Sequence, residues 1–142
     1  FVTQEQKEKI IKVLAQSTYG VVATSSLSGT PESALVTISY TPEFSIVFGS
    51  FKENRKNKNI AINSQVSMVI GWDNATTLQL EGVATVVEGE EKILLEKAHC
   101  AKHPHFEKRK GNPSHAYIKV TPRWIRYTCL ATSPIEVWEV SQ

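Results

Sequence analysis

The chain has 142 residues, with 16 Lys and Arg against 14 Asp and Glu and a formal net charge of +2. That length indicates a single domain over residues 1–142 with a real buried core, and it excludes separate cofactor and substrate domains. A hydrophobic share of 41% excludes a disordered chain. A charge near zero excludes a strongly basic nucleic-acid binder, so we expect no nucleic-acid partner.

The sequence predicts a protein of a reducing compartment. No run of apolar residues is long enough to cross a bilayer, so no membrane partner is expected. The first ten residues lack a basic-then-apolar signal pattern, and because the chain begins at Phe1 we expect that earlier residues were removed or lost. Two cysteines, Cys100 and Cys129, are too few for a disulfide framework. We expect reduced thiols and a cytoplasmic location.

The first third of the chain predicts one helix and three strands. Thr3 and Gln6 form a capping-box pattern, and apolar residues then recur at helical spacing over residues 4–16. We expect this helix to be a lid or peg, with Gly20 ending the pattern. The strands that follow are separated by turns containing Gly or Pro, and they cover residues 21–26, 33–40 and 45–51.

The rest of the chain predicts four strands and two helices. Residues 52–63 are polar and basic and read as a loop leading into a short helix, and residues 90–102 form the other helix. The predicted strands cover residues 66–72, 76–87, 117–129 and 135–140. Val66, Met68, Ile70 and Trp72 alternate and are expected on one face. Gly82 inside a strand predicts a bulge or sharp bend.

These elements define a mainly β protein. Strands joined by short turns pair in antiparallel fashion. The three helices do not alternate with the strands, which argues against a doubly wound parallel sheet. We therefore predict a small antiparallel barrel with flanking α-helices.

A basic segment between a buried strand and a short helix predicts phosphate binding. Lys52, Arg55, Lys56 and Lys58 crowd the start of that helix, where the helix dipole favours anions over cations. A bound phosphate resolves the conflict, because backbone N–H groups, Arg and Lys converge on it there. A solvated basic loop is the alternative interpretation. Ser50 and Asn54 can add hydrogen bonds to a phosphate, and both flank the segment.

In its order of motifs, the chain resembles the pyridoxamine 5′-phosphate oxidase-like family of FMN-binding split barrels. The matching stretches are GVVATSSLSGTPESALV, IVFGS, ENRKNKNIAINSQVSMVI, LQLEGVATVVEG and YIKVTPRWIRY. The resemblance covers nearly the whole chain and implies one antiparallel split β-barrel of Greek-key type. It also implies a homodimer that holds one FMN in each of two clefts at the subunit interface.

The resemblance also assigns the cofactor-binding residues. Arg55 and Lys56 match the phosphate-binding pair, with Asn54 beside them and Ser50 at the strand end. The strand that runs along the flavin ring is matched by Leu35, Val36 and Thr37. A polar residue that contacts the ring from the next strand is matched by Gln79 or Thr77. Trp124 and Arg126 would reach the flavin of the partner subunit.

Departures from the family pattern limit the activity that the resemblance implies. The oxidase carries basic residues at about the positions of Ala34 and Ser39, and its C-terminal substrate-phosphate block of Arg and His has no counterpart. The chain therefore resembles the short general-stress or uncharacterised branch, and we do not expect pyridoxamine-phosphate oxidase activity. The implied function is FMN-dependent oxidation or reduction of a small molecule, with no catalytic acid or base assigned. The alternatives are a non-enzymatic flavin-binding or storage protein and a haem- or deazaflavin-binding barrel.

A histidine-rich segment offers a further ligand set. His99 and His103 stand four residues apart, as zinc ligands on a helix often do, with Cys100 and His105 close by. Pro104 ends the helix after His103, and imidazoles also suit a helix C-terminus for electrostatic reasons. We predict no metal site here. In the haem alternative, His99, His103 or His115 supplies an axial ligand.

Overall fold

The seven strands described in the computed structural model, which covers residues 2–142, form one antiparallel sheet. They are β1 (Tyr19–Ser25), β2 (Pro31–Tyr40), β3 (Ile46–Phe51), β4 (Gln65–Ile70), β5 (Thr76–Val86), β6 (His115–Cys129) and β7 (Glu136–Ser141). The strand order is β3-β2-β1-β4-β5-β6-β7, and β3 also pairs with β6. The first six strands therefore close into a barrel, and β7 extends the sheet beside β6. The predicted antiparallel split barrel is confirmed.

Three α-helices flank the described barrel, as the sequence predicts. They are α1 (Gln4–Gln16), α2 (Arg55–Ile62) and α3 (Gly89–Lys102), and a short 3₁₀ helix (Pro104–Arg109) follows α3. The capping box at Thr3 is present and begins α1. Ile10 and Leu14 of α1 are buried in the main core, so this helix closes the barrel on one side.

The predicted strand boundaries agree with the observed ones within two residues, apart from the position of Trp72. Val66, Met68 and Ile70 share the core face of β4, but the strand ends at Ile70. Gly71 then takes a positive φ of 73°, which turns the chain away from the strand direction. Trp72 is consequently 48% exposed rather than on the core face, so that part of the prediction is wrong.

The predicted bulge lies at the close contact between β5 and β6. The pairing shifts between Glu81 and Gly82, because Glu81 faces Trp124 while Gly82 faces Pro122. Arg123 is therefore the extra residue on β6, and it lies outside the regular pairing. A Cβ atom on Gly82 would lie 2.4 Å from the backbone oxygen of Thr121, which explains why glycine occupies the site.

A second, smaller core lies on the outside of the barrel beneath α3. It is formed by Val47, Val87, Cys100, Phe106 and Tyr117. Both cysteines of the chain are free thiols, and Cys100 is buried in this cluster. Across residues 2–142, no helix has the length and apolar character needed to cross a bilayer.

Candidate cofactor site

The N-terminus of α2 lies at the end of β3, where the sequence predicts a phosphate site. Asn54 precedes the helix in an extended conformation, but its side chain makes no capping hydrogen bond. Its Nδ2 instead donates to Oγ of Ser50 at 3.2 Å. No side chain of the N-cap residue therefore satisfies the first backbone N–H groups of α2, which suits a bound anion. Sequence reasoning assigned both residues to the phosphate site but did not predict this hydrogen bond between them.

The two predicted phosphate-binding cations have different surroundings. Lys56 is half-buried and forms no ion pair with any carboxylate in the described part of the chain. Its burial lowers the pKa of the ammonium group. The Arg55 side chain is 80% exposed, yet its Nη2 forms an ion pair with the carboxylate of Glu32. Only Lys56 of this pair is without a carboxylate partner.

Glu32, at the start of β2, is held in place by residues of the barrel mouth. Nδ2 of Asn59, on α2, donates to Oε1 of Glu32 at 2.8 Å and to Oγ1 of Thr24 at 3.0 Å. The hydrogen bond from Asn59, supported by Arg55, lowers the pKa of the Glu32 carboxyl group. Sequence reasoning missed Glu32, because no periodic pattern links it to a basic residue 23 positions later.

The predicted flavin-ring residues lie mostly on the outer face of the sheet. Leu35 pairs with Val21, Val21 with Val69, and Val69 with Gln79, so these residues form one outward row across β2, β1, β4 and β5. Leu35 is 60% exposed, and Thr37 shares its face on β2. The side chain of Val36 points into the barrel core, so only its backbone is accessible from this row.

The same row continues into a polar group on β6 and β7. Arg126 lies opposite Gln79, and its Nε and Nη2 donate to Oε2 of Glu139 at 3.0 and 2.5 Å. Nε1 of Trp124 donates to Oε1 of the same carboxylate at 2.9 Å. These donors, Arg126 before Trp124, lower the pKa of Glu139. Trp124 is therefore held in a fixed orientation at the surface.

Within one subunit, the predicted site residues form two separate groups. Ser50, Asn54, Arg55 and Lys56 lie around the start of α2, close to the strand that carries Leu35. Gln79 lies on β5, with β1 and β4 between it and β2. Strand β6 pairs directly with β3, but Ser50 faces Ala116, and Trp124 lies eight residues further along β6, about 26 Å at 3.3 Å per residue. A single copy of the chain does not bring the two groups onto one small ligand.

A groove of about 700 Å³ crosses the outer faces of β1, β4 and β5, and sequence reasoning missed it. Ser25, Ser67, Glu81 and the bulge residue Arg123 contribute its polar lining. The bulge predicted at Gly82 was the available signal, because a bulge redirects nearby side chains. The residues around α2 fit a bound phosphate, since an uncapped helix end adjoins an unpaired lysine. The groove lies on the same outer face of the sheet as the row that begins at Leu35.

The histidine cluster is buried rather than open to a ligand. Nδ1 of His99 lies 2.7 Å from Oγ of Ser39, and Nε2 of His103 lies 2.6 Å from the backbone oxygen of Ile38. His115 is buried beside them. In the described residues, no three His, Cys, Asp or Glu side chains are placed to hold a metal ion. An axial haem bond from these histidines would require them to leave buried positions.

A family model for pyridoxamine 5′-phosphate oxidase matches residues 6–129, so the chain belongs to this family. The resemblance drawn from the motifs is therefore confirmed. No curated protein matches the chain.

Solved structures share the fold at low sequence identity. A haem-binding protein from Mycobacterium smegmatis superposes with a TM-score of 0.84 at 17% identity, over 99% of this chain and 60% of that one. This chain thus spans less than two thirds of that protein. A pyridoxamine 5′-phosphate oxidase-related, FMN-binding protein from Nostoc punctiforme gives 0.70 at 11%, over 97% and 85%. An F420 reductase gives 0.67 at 23%, over 80% and 93%.

Proposed function

We propose that this protein binds FMN in a cleft between two copies of the chain and acts as a flavin-dependent oxidoreductase on a small molecule. The observation that carries the proposal is the uncapped start of α2 with unpaired Lys56, at the place where the family motif puts the phosphate. Membership of the oxidase family and the likeness to an FMN-binding protein support the same ligand.

The residues of the chain divide the work of holding the flavin. Lys56, Arg55 and the N–H groups of α2 bind the phosphate, and Ser50 with Asn54 shapes the turn beside it. The outward row that begins at Leu35 supplies an apolar surface for the ring. The flavin, when bound, supplies hydride and electron transfer, and the protein sets its position and exposure.

A second copy of the chain completes the site. Trp124 and the residue opposite Gln79, Arg126, lie eight and ten residues along β6 from the residue that faces Ser50, which is too far to join the α2 group within one subunit. A twofold interface across the outer face brings the partner's copies of such residues against the flavin, as isologous interfaces do. The exposed apolar residues on that face, Tyr19, Leu35, Val69 and Val137, support this arrangement.

The absorbance spectrum of freshly purified protein tests the cofactor directly. FMN predicts two flavin bands in the near-ultraviolet and blue. A Soret band indicates haem instead, which is the second candidate because of the fold shared with the haem-binding protein. A single deazaflavin-type band indicates the cofactor of the F420 reductase-like alternative. Either of these two results would overturn the FMN assignment.

The double variant Arg55→Ala, Lys56→Ala tests the phosphate site. We expect it to lose FMN on purification, because both cations that reach the helix end are removed. The matched control is Lys52→Ala, Lys58→Ala, which removes the same charge from exposed side chains of the same segment. The control should retain flavin, measured as the ratio of flavin to protein absorbance. Retention in both variants would contradict the proposed site.

Turnover separates an enzyme from a storage protein. Anaerobic addition of NADH or NADPH should bleach the flavin bands, and a quinone or nitroaromatic acceptor should restore them. Bound flavin that neither nicotinamide reduces, with no acceptor turnover, would favour the non-enzymatic alternative.

A further inference from the structure

The start of α2, where we propose that phosphate binds, already lies beside a carboxylate of the chain itself. The Glu32 carboxylate pairs with Arg55 and receives a hydrogen bond from Asn59. Its side chain is 19% exposed, whereas that of Arg55 is 80% exposed. The carboxylate is therefore the largely buried member of the pair and the guanidinium the exposed one. Ala34, two residues further along β2, supplies no second cation.

We propose that Glu32 is a specificity-determining residue that lowers the preference of the site for phosphorylated over unphosphorylated flavin. The inference rests on the proposed flavin function. A phosphate that binds at α2 must take Arg55 from Glu32 or leave the ion pair intact and use Lys56 alone. In both cases the negative charge of Glu32 opposes the phosphate, and it has no comparable effect on the neutral ribityl end of riboflavin.

The surroundings of Glu32 make this competition specific to one carboxylate. Asn59 is anchored by Thr24 at 3.0 Å, so the amide fixes Glu32 independently of Arg55. Glu53 lies in the same loop as the basic residues, but it is 89% exposed and is 3.7 Å from Lys58. The two acids therefore carry the same charge near the same helix end, and only Glu32 contacts Arg55.

The test measures the dissociation constants of FMN and riboflavin for the purified apoprotein by quenching of flavin fluorescence. Glu32→Gln keeps an oxygen that accepts from Asn59 and removes the charge. We expect it to tighten FMN about tenfold, the size of one charge-assisted contact to phosphate, with riboflavin affected less than about twofold.

The matched control is Glu53→Gln, which also removes one negative charge near α2. It should leave the ratio of the FMN and riboflavin dissociation constants near its wild-type value. If Glu32→Gln does not fold, Glu32→Asp draws the carboxylate back and should move the ratio in the same direction by a smaller factor. An unchanged ratio in the Glu32 variants, or an equal change in Glu53→Gln, overturns this inference alone. If neither flavin binds any variant or the wild type, both this inference and the proposed function are overturned.

Discussion

Gly82 allows the backbones of β5 and β6 to approach closely at the bulge. Replacement by alanine puts a Cβ atom 2.4 Å from the oxygen of Thr121, and that partner is backbone, which cannot rotate away. We expect Gly82→Ala to reduce the free energy of unfolding by about 2 kcal/mol or more, as strained core substitutions do. Chemical denaturation followed by tryptophan fluorescence measures this loss.

The control for Gly82 is Thr85→Ala on the same strand. Thr85 is exposed, so its replacement should change the free energy of unfolding by no more than about 0.5 kcal/mol. Equal stability of the two variants would show that the bulge tolerates a side chain, and that the backbone contact at Thr121 relaxes freely.

At the residue scale, sequence reasoning located the basic pair but not its charge balance. Arg55 and Lys56 stand out because cations are unusual at a helix start. Their different partners depend on Glu32, which is distant in sequence and reaches Arg55 only when β2 and α2 meet at the barrel mouth. Tertiary contacts of this kind leave no local pattern in the sequence.

At the scale of elements, alternation and turn residues were sufficient to find each strand and α-helix described over residues 2–142. They did not predict the 3₁₀ helix Pro104–Arg109, because a single short turn lacks a periodic signal. They also left the role of the histidines open. Helical spacing describes His99 and His103 equally well as ligands or as buried side chains, and only the packing of α3 on β2 decides between these.

The packing of α3 and the 3₁₀ helix predicts a loss of stability in acid. Burial, with nearby positive charge, lowers the pKa of His99 to about 3 and that of His115 to about 4. In the unfolded chain, both histidines take up a proton near pH 6.5. The contribution of the buried neutral histidines to the free energy of unfolding is therefore complete above that pH and falls as the pH drops towards 3. At pH 5 each of these two histidines should lower the free energy of unfolding by up to about 2 kcal/mol relative to pH 8.

Denaturant titrations at pH 8, 6 and 5 measure this dependence. His115→Gln should reduce the slope of stability against pH, because one of the buried histidines with a lowered pKa is removed. His105→Gln is the control, since His105 is exposed on the neighbouring 3₁₀ helix, and its slope should match that of the wild type. A wild-type free energy of unfolding that is constant from pH 8 to pH 5 would contradict the prediction.

At the scale of the whole molecule, an open apolar face is the feature that one chain leaves unexplained. Val69 lies near the middle of the outward row, between Val21 and Gln79, and is 39% exposed. If two copies meet on this face, Val69→Glu puts an unpaired charge into the interface, which is costly without a partner. We expect the variant to elute as a monomer in size-exclusion chromatography with light scattering, whereas the wild type elutes as a dimer.

The same variant should also lose flavin, because each cleft needs residues from both subunits. Leu27→Glu is the matched control: Leu27 is 82% exposed at the turn between β1 and β2, away from the outward row, so dimer and flavin should both persist. A dimeric Val69→Glu protein would place the interface elsewhere. A monomeric variant that keeps its flavin would show that one chain holds the cofactor alone, through the α2 group and the face beside Leu35.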